Sequence, residues 1–420
     1  MSDACEGSAV EVLPAAATAA VPHRRERLPQ WLGLKIDADG RLDDLRVAVI
    51  GNGSVGLAIA LAMSRLQVGG LLLADHGRFK MASLLTHDIS PRDAALAHQK
   101  ALYAAKTCRQ ISPRTLVTAY AGSVQSMPMD ALVGCDLVVL ATDNVAAEVD
   151  VGKRCLRQRK PLYHASVHGE TLTAQVRVYR NADAAGACPA CSLNRAEIES
   201  LNAAAQYKCD GSGVATPTGP AAAVPTRSVS SLCSLAADLA VIEVLKHVLE
   251  LGPKRGDYVL EYAGYTNKTT VTTLAPRKGT CICDHDTVWL PARPPRRLAA
   301  CSPWELATAA GFPSDLRGVS FAVDQLVFAQ AGVCACGMRR RIGRFLAPGA
   351  RGPEDCSVCR KPVYSDAFFS HRPVASEYLK DAVHRPLQEL GAVEPRCVLV
   401  AANERAALFT DRAASGATDP

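Results

Sequence analysis

Leu45 and the run Val47-Ala48-Val49-Ile50 make an apolar stretch broken only by Arg46 and closed by Gly51, which reads as a buried strand. Beyond the glycine turn, apolar positions from Val55 to Leu66 follow a helical spacing, and Gly70 to Ala74 repeats the strand pattern. Together these pieces predict a βαβ unit. Asp136 to Ala141 and Thr173 to Tyr179 read as further strands, and Ser228 to Leu251 as a long apolar helix lined with small residues. Strands alternating with helices imply an α/β fold with a mostly parallel sheet. Residues 1–22 are alanine-rich and follow neither period, so they are expected to be a flexible tail. The main domain is expected over residues 23–290. Pro291-Ala292-Arg293-Pro294-Pro295-Arg296-Arg297 suggests a linker over 291–300, followed by a smaller cysteine-bearing module at 301–412 and a tail at 413–420.

Composition adds limits to this outline. The 420 residues are 48% hydrophobic and 21% charged, values of a globular chain rather than a disordered or fibrous one. A net charge of +6 is too small to suggest nucleic acid as a partner, and none is expected. No apolar run approaches the roughly 18 residues of a spanning helix, and the acidic Met1-Ser2-Asp3 start lacks a signal's basic region. A cytoplasmic protein without a membrane partner is expected. In that reducing compartment, the 16 cysteines are expected to hold metal or do chemistry rather than form disulfides.

Gly51-Asn52-Gly53-Ser54-Val55-Gly56 lies between the first strand and its helix. Glycines there permit a tight turn and close approach of a phosphate to the helix N-terminus. Asp75, 19 residues after Gly56 at the end of the next strand, is placed to accept hydrogen bonds from a ribose. The pattern predicts a Rossmann-like nucleotide site with Gly51, Gly53, Gly56 and Asp75 as its binding residues. It does not separate ATP from a dinucleotide such as NAD.

From about Arg27 to Cys283 the chain resembles the ubiquitin-activating enzyme superfamily, which includes bacterial adenylyltransferases that activate sulfur-carrier proteins for thiamin and molybdopterin synthesis. The resemblance implies an adenylation domain that binds ATP. His98-Gln99-Lys100-Ala101 is similar to the family's phosphate-binding element, which makes Lys100 the phosphate ligand. Cys135-Asp136-Leu137-Val138-Val139-Leu140-Ala141-Thr142-Asp143-Asn144 matches the strand that ends in a Mg²⁺-binding aspartate, here Asp143. Carboxylate oxygens suit Mg²⁺, which offsets triphosphate charge. Arg27 stands where the family has an arginine that reaches the partner protomer's ATP, with Arg24 and Arg25 as rivals, and this role implies a homodimer. Two positions depart from the family. Ser83-Leu84-Leu85-Thr86-His87 replaces Asn-Leu-x-Arg-Gln, with Arg78 or Lys80 as substitutes, and Glu148 stands where an arginine usually follows Asp-Asn.

Cys188-Pro189-Ala190-Cys191 and Cys281-Ile282-Cys283 present two pairs of thiolates, enough for a closed structural zinc site, with Asp284 and His285 as alternative ligands. The family uses two such pairs in these positions. Cys334-Ala335-Cys336 and Cys356-Ser357-Val358-Cys359 have zinc-ribbon spacing and predict a second site in the C-terminal module. Arg339, Arg340, Arg341, Arg344 and Arg351 lie between them and are expected to be a solvated surface, with a grip on phosphate or on an acidic partner face as the alternative.

Tyr207-Lys208-Cys209-Asp210-Gly211 opens a glycine- and proline-rich segment that reads as a loop. By the resemblance, Cys209 is the nucleophile that takes the activated carrier as a thioester; a thiolate is suited to displacing AMP from an acyl adenylate. The expected function is ATP-dependent adenylation of a ubiquitin-like protein's C-terminal glycine, thioester formation on Cys209, and hand-over to a conjugating enzyme. The alternatives are a sulfur-carrier adenylyltransferase, an NAD-dependent oxidoreductase, and a non-catalytic scaffold that binds a ubiquitin-like protein.

Overall fold

The structure is a computed structural model that describes residues 10–12, 40–182, 185–205, 228–277 and 279–411. Arg24, Arg25, Arg27 and Cys209 lie outside the described residues. The chain divides into two compact units: the first holds the described residues up to 127, 135–205 and 228–285, and the second holds 128–134 and 286–411.

The first unit contains β1 (Val10–Val12), α1 (Arg41–Asp44), β2 (Arg46–Ile50), α2 (Ser54–Arg65), β3 (Gly70–Ala74), α3 (Pro91–Ala95), α4 (Lys100–Ile111), β4 (Leu116–Tyr120), β5 (Leu137–Leu140), α5 (Val145–Arg157), β6 (Leu162–His168), β7 (Thr173–Tyr179), α6 (Arg195–Ala205), α7 (Ser230–Val248), β8 (Tyr258–Ala263) and β9 (Lys268–Thr273). They build one sheet in the order β1-β4-β3-β2-β5-β6-β7-β8-β9. Strands β4 to β6 of this order are parallel, and the flanks are antiparallel. Val47 to Ile50 are wholly buried because helices cover both faces of a parallel sheet, which is why the strand lacks polar alternation. Ala236, Ala237 and Ala240 of α7 are buried in the same core as Leu57, Ile59 and Met63 of α2. Their small side chains let the two helices pack closely.

The chain leaves β2 for β3 on one side and returns to β5 on the other. The C-terminal ends of β2, β3 and β5 therefore border the crevice where open α/β sheets bind ligands. β1 departs from expectation: it lies in the stretch read as a tail, yet pairs with β4, Val10 opposite Tyr120. Pairing there covers an edge that would otherwise be open.

The second unit contains β10 (Val288–Ala292), α8 (Pro303–Ala309), β11 (Val319–Val323), β12 (Val327–Cys334), β13 (Arg339–Leu346), β14 (Arg351–Asp355), β15 (Pro362–Ser365), β16 (Ser370–His371), β17 (Val374–Ala375), α9 (Ser376–Leu379), β18 (Cys397–Ala402) and β19 (Arg405–Thr410). One sheet runs β10-β19-β18-β11-β17 and another β13-β12-β15-β14, with β16 paired to β12. Phe321, Phe328, Phe345 and Phe409 fill the core with Leu298 and Leu306. The expected linker is not a free segment. Pro291 lies in β10 opposite Leu408 of β19, on a sheet edge where its missing N–H can face away from the ladder. Arg296 then pairs with Glu305 at 2.6 Å.

Candidate active site

The glycine loop closes over the end of β2 because side chains would not fit. Gly51 adopts φ +85°, and a Cβ there would lie 2.5 Å from the Ala141 carbonyl oxygen; one on Gly56 would lie 1.8 Å from the Gly51 carbonyl oxygen. This close approach seats the start of α2 against the loop that follows β5. Gly53 differs: it is the N-cap of α2, provides no side-chain cap, and faces open space for at least 4 Å. The first N–H groups of a twelve-residue helix are thus available to an anion. Asn52 is fully buried, yet both atoms of its side-chain amide lack a hydrogen-bond partner. An open cradle and an orphaned amide in one loop fit a nucleotide.

Asp75, at the end of β3, ties the two loops together. Its Oδ2 accepts the Asn52 N–H and its Oδ1 the Gly77 N–H, both at 2.6 Å. Each oxygen retains a lone pair for a ribose hydroxyl. Gln99 donates to the Asp75 carbonyl and caps α4 through the Leu102 N–H at 2.9 Å, which fixes Lys100 as the first residue of that helix. The Lys100 N–H bonds the Gly77 carbonyl at 2.9 Å, and its aliphatic stem passes beside Gly77. The structure thus brings Gly51, Gly53, Gly56, Asp75 and Lys100 to one crevice. Asp143 stands two residues beyond Ala141, which touches the glycine loop. Helix α5 is capped by Asn144, whose Oδ1 accepts the Ala147 N–H at 3.1 Å, so the exposed Asp143 carboxylate is free of that task.

The two departures from the expected motif have a structural form. Ser83 to His87 turn through a 3₁₀ segment, Met81–Leu85, and His87 packs edge-on against Phe79 with Nδ1 near Thr86 Oγ1 at 3.0 Å. Burial and the nearby Lys100 push the His87 pKa down to about 4, so a neutral ring lies near the site where an arginine is absent. Arg78 cannot substitute freely, since it donates to the Ala97 carbonyl at 3.2 Å. Glu148 lies in the first turn of α5, 3.6 Å from Nε2 of the buried His164 on β6. Burial pushes Glu148 up to about 7, opposed by Arg177 and reinforced by Asp143. The same burial, with Arg177, pushes His164 down to about 3. The contact therefore joins a neutral imidazole to a partly protonated carboxyl and is not a salt bridge. Both His164 ring nitrogens lack a hydrogen-bond partner.

Two groups of four ligands converge among the described residues. In the first unit these are Cys188, Cys191, Cys281 and His285, whose ligand atoms all lie within 4.8 Å of one another. Tetrahedral coordination with Zn–S of about 2.3 Å and Zn–N of about 2.0 Å requires S···S of about 3.8 Å and S···N of about 3.5 Å. Cys188–Cys191, Cys188–Cys281 and Cys191–Cys281 measure 3.8, 3.6 and 3.8 Å, and Cys191 Sγ to His285 Nε2 is 3.5 Å. The Cys188 thiol and burial push Cys191 up to about 12, a penalty that a divalent cation would reverse. Cys283, the expected fourth ligand, is buried beside them and its N–H points to Cys281 Sγ, but it is not in the converging set. His285, four residues after Cys281, supplies the fourth ligand atom of the converging set, while the Cys283 thiol also faces Cys188.

The second unit's group is Cys334, Cys336, Cys356 and Cys359, the expected four. Gly337 at φ +78° closes a turn onto the Cys334 carbonyl at 2.9 Å, which brings Cys334 and Cys336 together despite their short spacing. Cys336 and Cys356 are 3.8 Å apart, the tetrahedral separation, whereas Cys334 and Cys336 stand closer, at 2.8 Å; Arg340 Nη2 donates to Cys356 Sγ at 3.8 Å. The N–H groups of Cys359 and Val358 lead in lowering Cys356 to about 5, the ionised state a metal needs. The pairs occupy the turns between β12 and β13 and between β14 and β15.

Residues 29–283 match the ThiF family. The chain belongs to the ThiF family. It is similar to ubiquitin-like modifier-activating enzyme 5 of Drosophila grimshawi, 24% identical over 257 residues that cover 58% of this chain and 59% of that protein. It is also similar to the sulfur carrier protein ThiS adenylyltransferase of Escherichia coli strain K12, 27% identical over 143 residues covering 32% and 54%. The chain thus spans under two thirds of these relatives. Among solved structures, Escherichia coli MccB with ATP aligns at 16% identity and a TM-score of 0.44, covering 58% of this chain and 67% of that one.

For this ThiF-family chain, residue spacing does not indicate Asn52, His164 or Arg177. Asn52 carries no signal beyond its place inside the glycine motif. His164 and Arg177 meet Glu148 only because β6 lies between β5 and β7. Asp130, Asp324 and Cys397 of the second unit also converge, buried, from distant parts of the sequence. No described helix is long and apolar enough to cross a membrane.

Proposed function

We propose that this chain is an ATP-dependent adenylyltransferase acting on the C-terminal carboxylate of a sulfur-carrier protein. What carries this reading is the convergence, at the switch point beside β2, of the open helix N-terminus at Gly53 with Asp75 and Lys100, and with Asp143 at the end of β5. Asp75 would hold the ribose, while the α2 N-terminus and Lys100 would hold the phosphates. Asp143 would hold Mg²⁺, which offsets phosphate charge when bound. A carrier carboxylate oxygen attacks the α-phosphorus, the bond to the bridging oxygen breaks, and pyrophosphate leaves with that electron pair. The products are acyl adenylate and pyrophosphate. Arg27 from a second copy and Cys209 as acceptor of the acyl group complete the scheme. Both four-ligand groups would hold structural zinc, with no open position for catalysis. The second unit would then be a zinc-ribbon-like module, and the first a Rossmann-like adenylation domain.

Similarity to the ThiS adenylyltransferase supports sulfur-carrier activation. Ubiquitin-like conjugation, with hand-over to a conjugating enzyme, is the second reading, favoured by the longer alignment with modifier-activating enzyme 5. Incubation with ATP, Mg²⁺ and a glycine-ended sulfur carrier, followed by hydroxylamine and intact-mass measurement, should yield carrier hydroxamate. Absence of hydroxamate would refute adenylation of that carrier. Hydroxamate only with a ubiquitin-like modifier would favour the second reading.

A further inference from the structure

Strand β13 carries Arg339, Arg340, Arg341 and Arg344 with no acid among them. Alternation along the strand divides the run between two faces. Arg340 turns to the cysteine group and donates to Cys356. Arg339 and Arg341 lie on the opposite face, exposed. There Arg339 opposes Val333, Val333 opposes Tyr364, and Tyr364 opposes Arg351, so the four residues form one row across β13-β12-β15-β14. Directly opposed residues share a sheet face. The row is open, with Tyr364 53% exposed in its middle and arginines at both ends. The Arg339 guanidinium lies 3.8 Å from the centre of the Phe369 ring, and the adjacent Phe368 is 80% exposed. Arg351 is paired with Asp355 at 2.7 Å, whereas no carboxylate among the described residues pairs with Arg339 or Arg341.

We infer that this face of the second unit binds single-stranded nucleic acid. Guanidiniums neutralise phosphates, and exposed rings take unstacked bases on their π-faces. Arg339 and Arg341 are about 7 Å apart along the strand, comparable to the phosphate spacing of an extended single strand. A duplex offers no free base face to Tyr364 or Phe368. An acidic protein surface would satisfy the arginines but offers no planar bases for those rings. The chain's small net charge does not forecast this face because the face's cations are concentrated on β13 and β14 of one sheet. The inference does not depend on the adenylation chemistry.

The full chain, purified with its metal, would be titrated into labelled oligo(U) and oligo(dT) of about twelve nucleotides, a matching duplex, and polyglutamate, with anisotropy as readout. Single strands should bind more tightly than duplex. A preference between oligo(U) and oligo(dT) would report whether the 2′-hydroxyl is read. Tyr364→Ala should weaken binding at least about fivefold, the low end of one base stack. Arg341→Gln should reduce the salt slope by about 0.7, the contribution of one single-strand phosphate. Unchanged metal content would show that both variants fold. Tyr265→Ala, an exposed ring in the first unit, should change nothing. No binding to either strand, duplex binding equal to single strands with no loss in Tyr364→Ala, or binding to polyglutamate alone would overturn the inference.

Discussion

Replacing Glu148 with glutamine should stabilise the first unit, and the gain should depend on pH. The buried carboxyl is pushed from 4.5 up to about 7, with burial as the leading cause. Below pH 4.5 both folded and unfolded chains keep the proton, so burial of the neutral acid carries no ionisation penalty. Between pH 4.5 and 7 the unfolded chain ionises while the folded chain holds its proton, and the fold loses about 1.4 kcal/mol per pH unit. Above pH 7 both states are ionised and the loss is constant, roughly 3 kcal/mol in all. Glutamine is nearly isosteric and carries no such penalty. Urea unfolding followed at 222 nm reports mainly on α2, α4, α5 and α7, all in this unit. Glu148→Gln and wild type should have the same midpoint at pH 4.5, and the variant should be more stable by up to roughly 3 kcal/mol at pH 8. Destabilisation of the variant at pH 8 would refute the reasoning. It would mean that Glu148 is an ionised partner of Arg177, because breaking a buried ion pair costs about 3–5 kcal/mol.

Metal analysis should find two zinc ions per chain in wild type and Cys283→Ser but one in His285→Ala, because the converging set is Cys188, Cys191, Cys281 and His285. Equal loss from both variants would restore Cys283 as a ligand. Removing the metal with a chelator should unfold the second unit's cysteine turns, since structural zinc contributes on the order of 10 kcal/mol; unchanged circular dichroism would argue against it. Gly56→Ala puts a methyl 1.8 Å from the Gly51 oxygen and should destabilise the fold by about 1–3 kcal/mol or more and abolish ATP binding. Wild-type affinity in that variant, measured by calorimetry, would show that the loop yields.

The parallel strands were legible because burial on both faces writes them as apolar runs: Gly70 to Ala74 is both the expected and the observed strand. The turn at the glycine loop, with Asp75 at the end of the next strand, was equally plain as geometry, since a tight strand-to-helix turn admits few residues. Lys100 and Asp143 were singled out by the resemblance, because a lysine opening a helix and an aspartate after a strand are common. Spacing pointed to Cys283 and offered His285 as an alternative; the converging set holds His285, because a local turn as well as the interval between cysteines decides which side chains meet. It was silent on His164, which is separated from Glu148 in sequence and meets it only through sheet order. The proline-rich stretch at 291 misled because an edge strand tolerates the proline that a central strand would not.

Adenylation of a carrier carboxylate by this chain is read out by exchange of labelled pyrophosphate into ATP, with Mg²⁺ and a glycine-ended sulfur carrier. Wild type should exchange, Lys100→Ala and Asp143→Ala should not, and both variants should keep the wild-type circular dichroism. Exchange that survives in both variants, or tight NAD binding with no exchange for any carrier, would contradict the account.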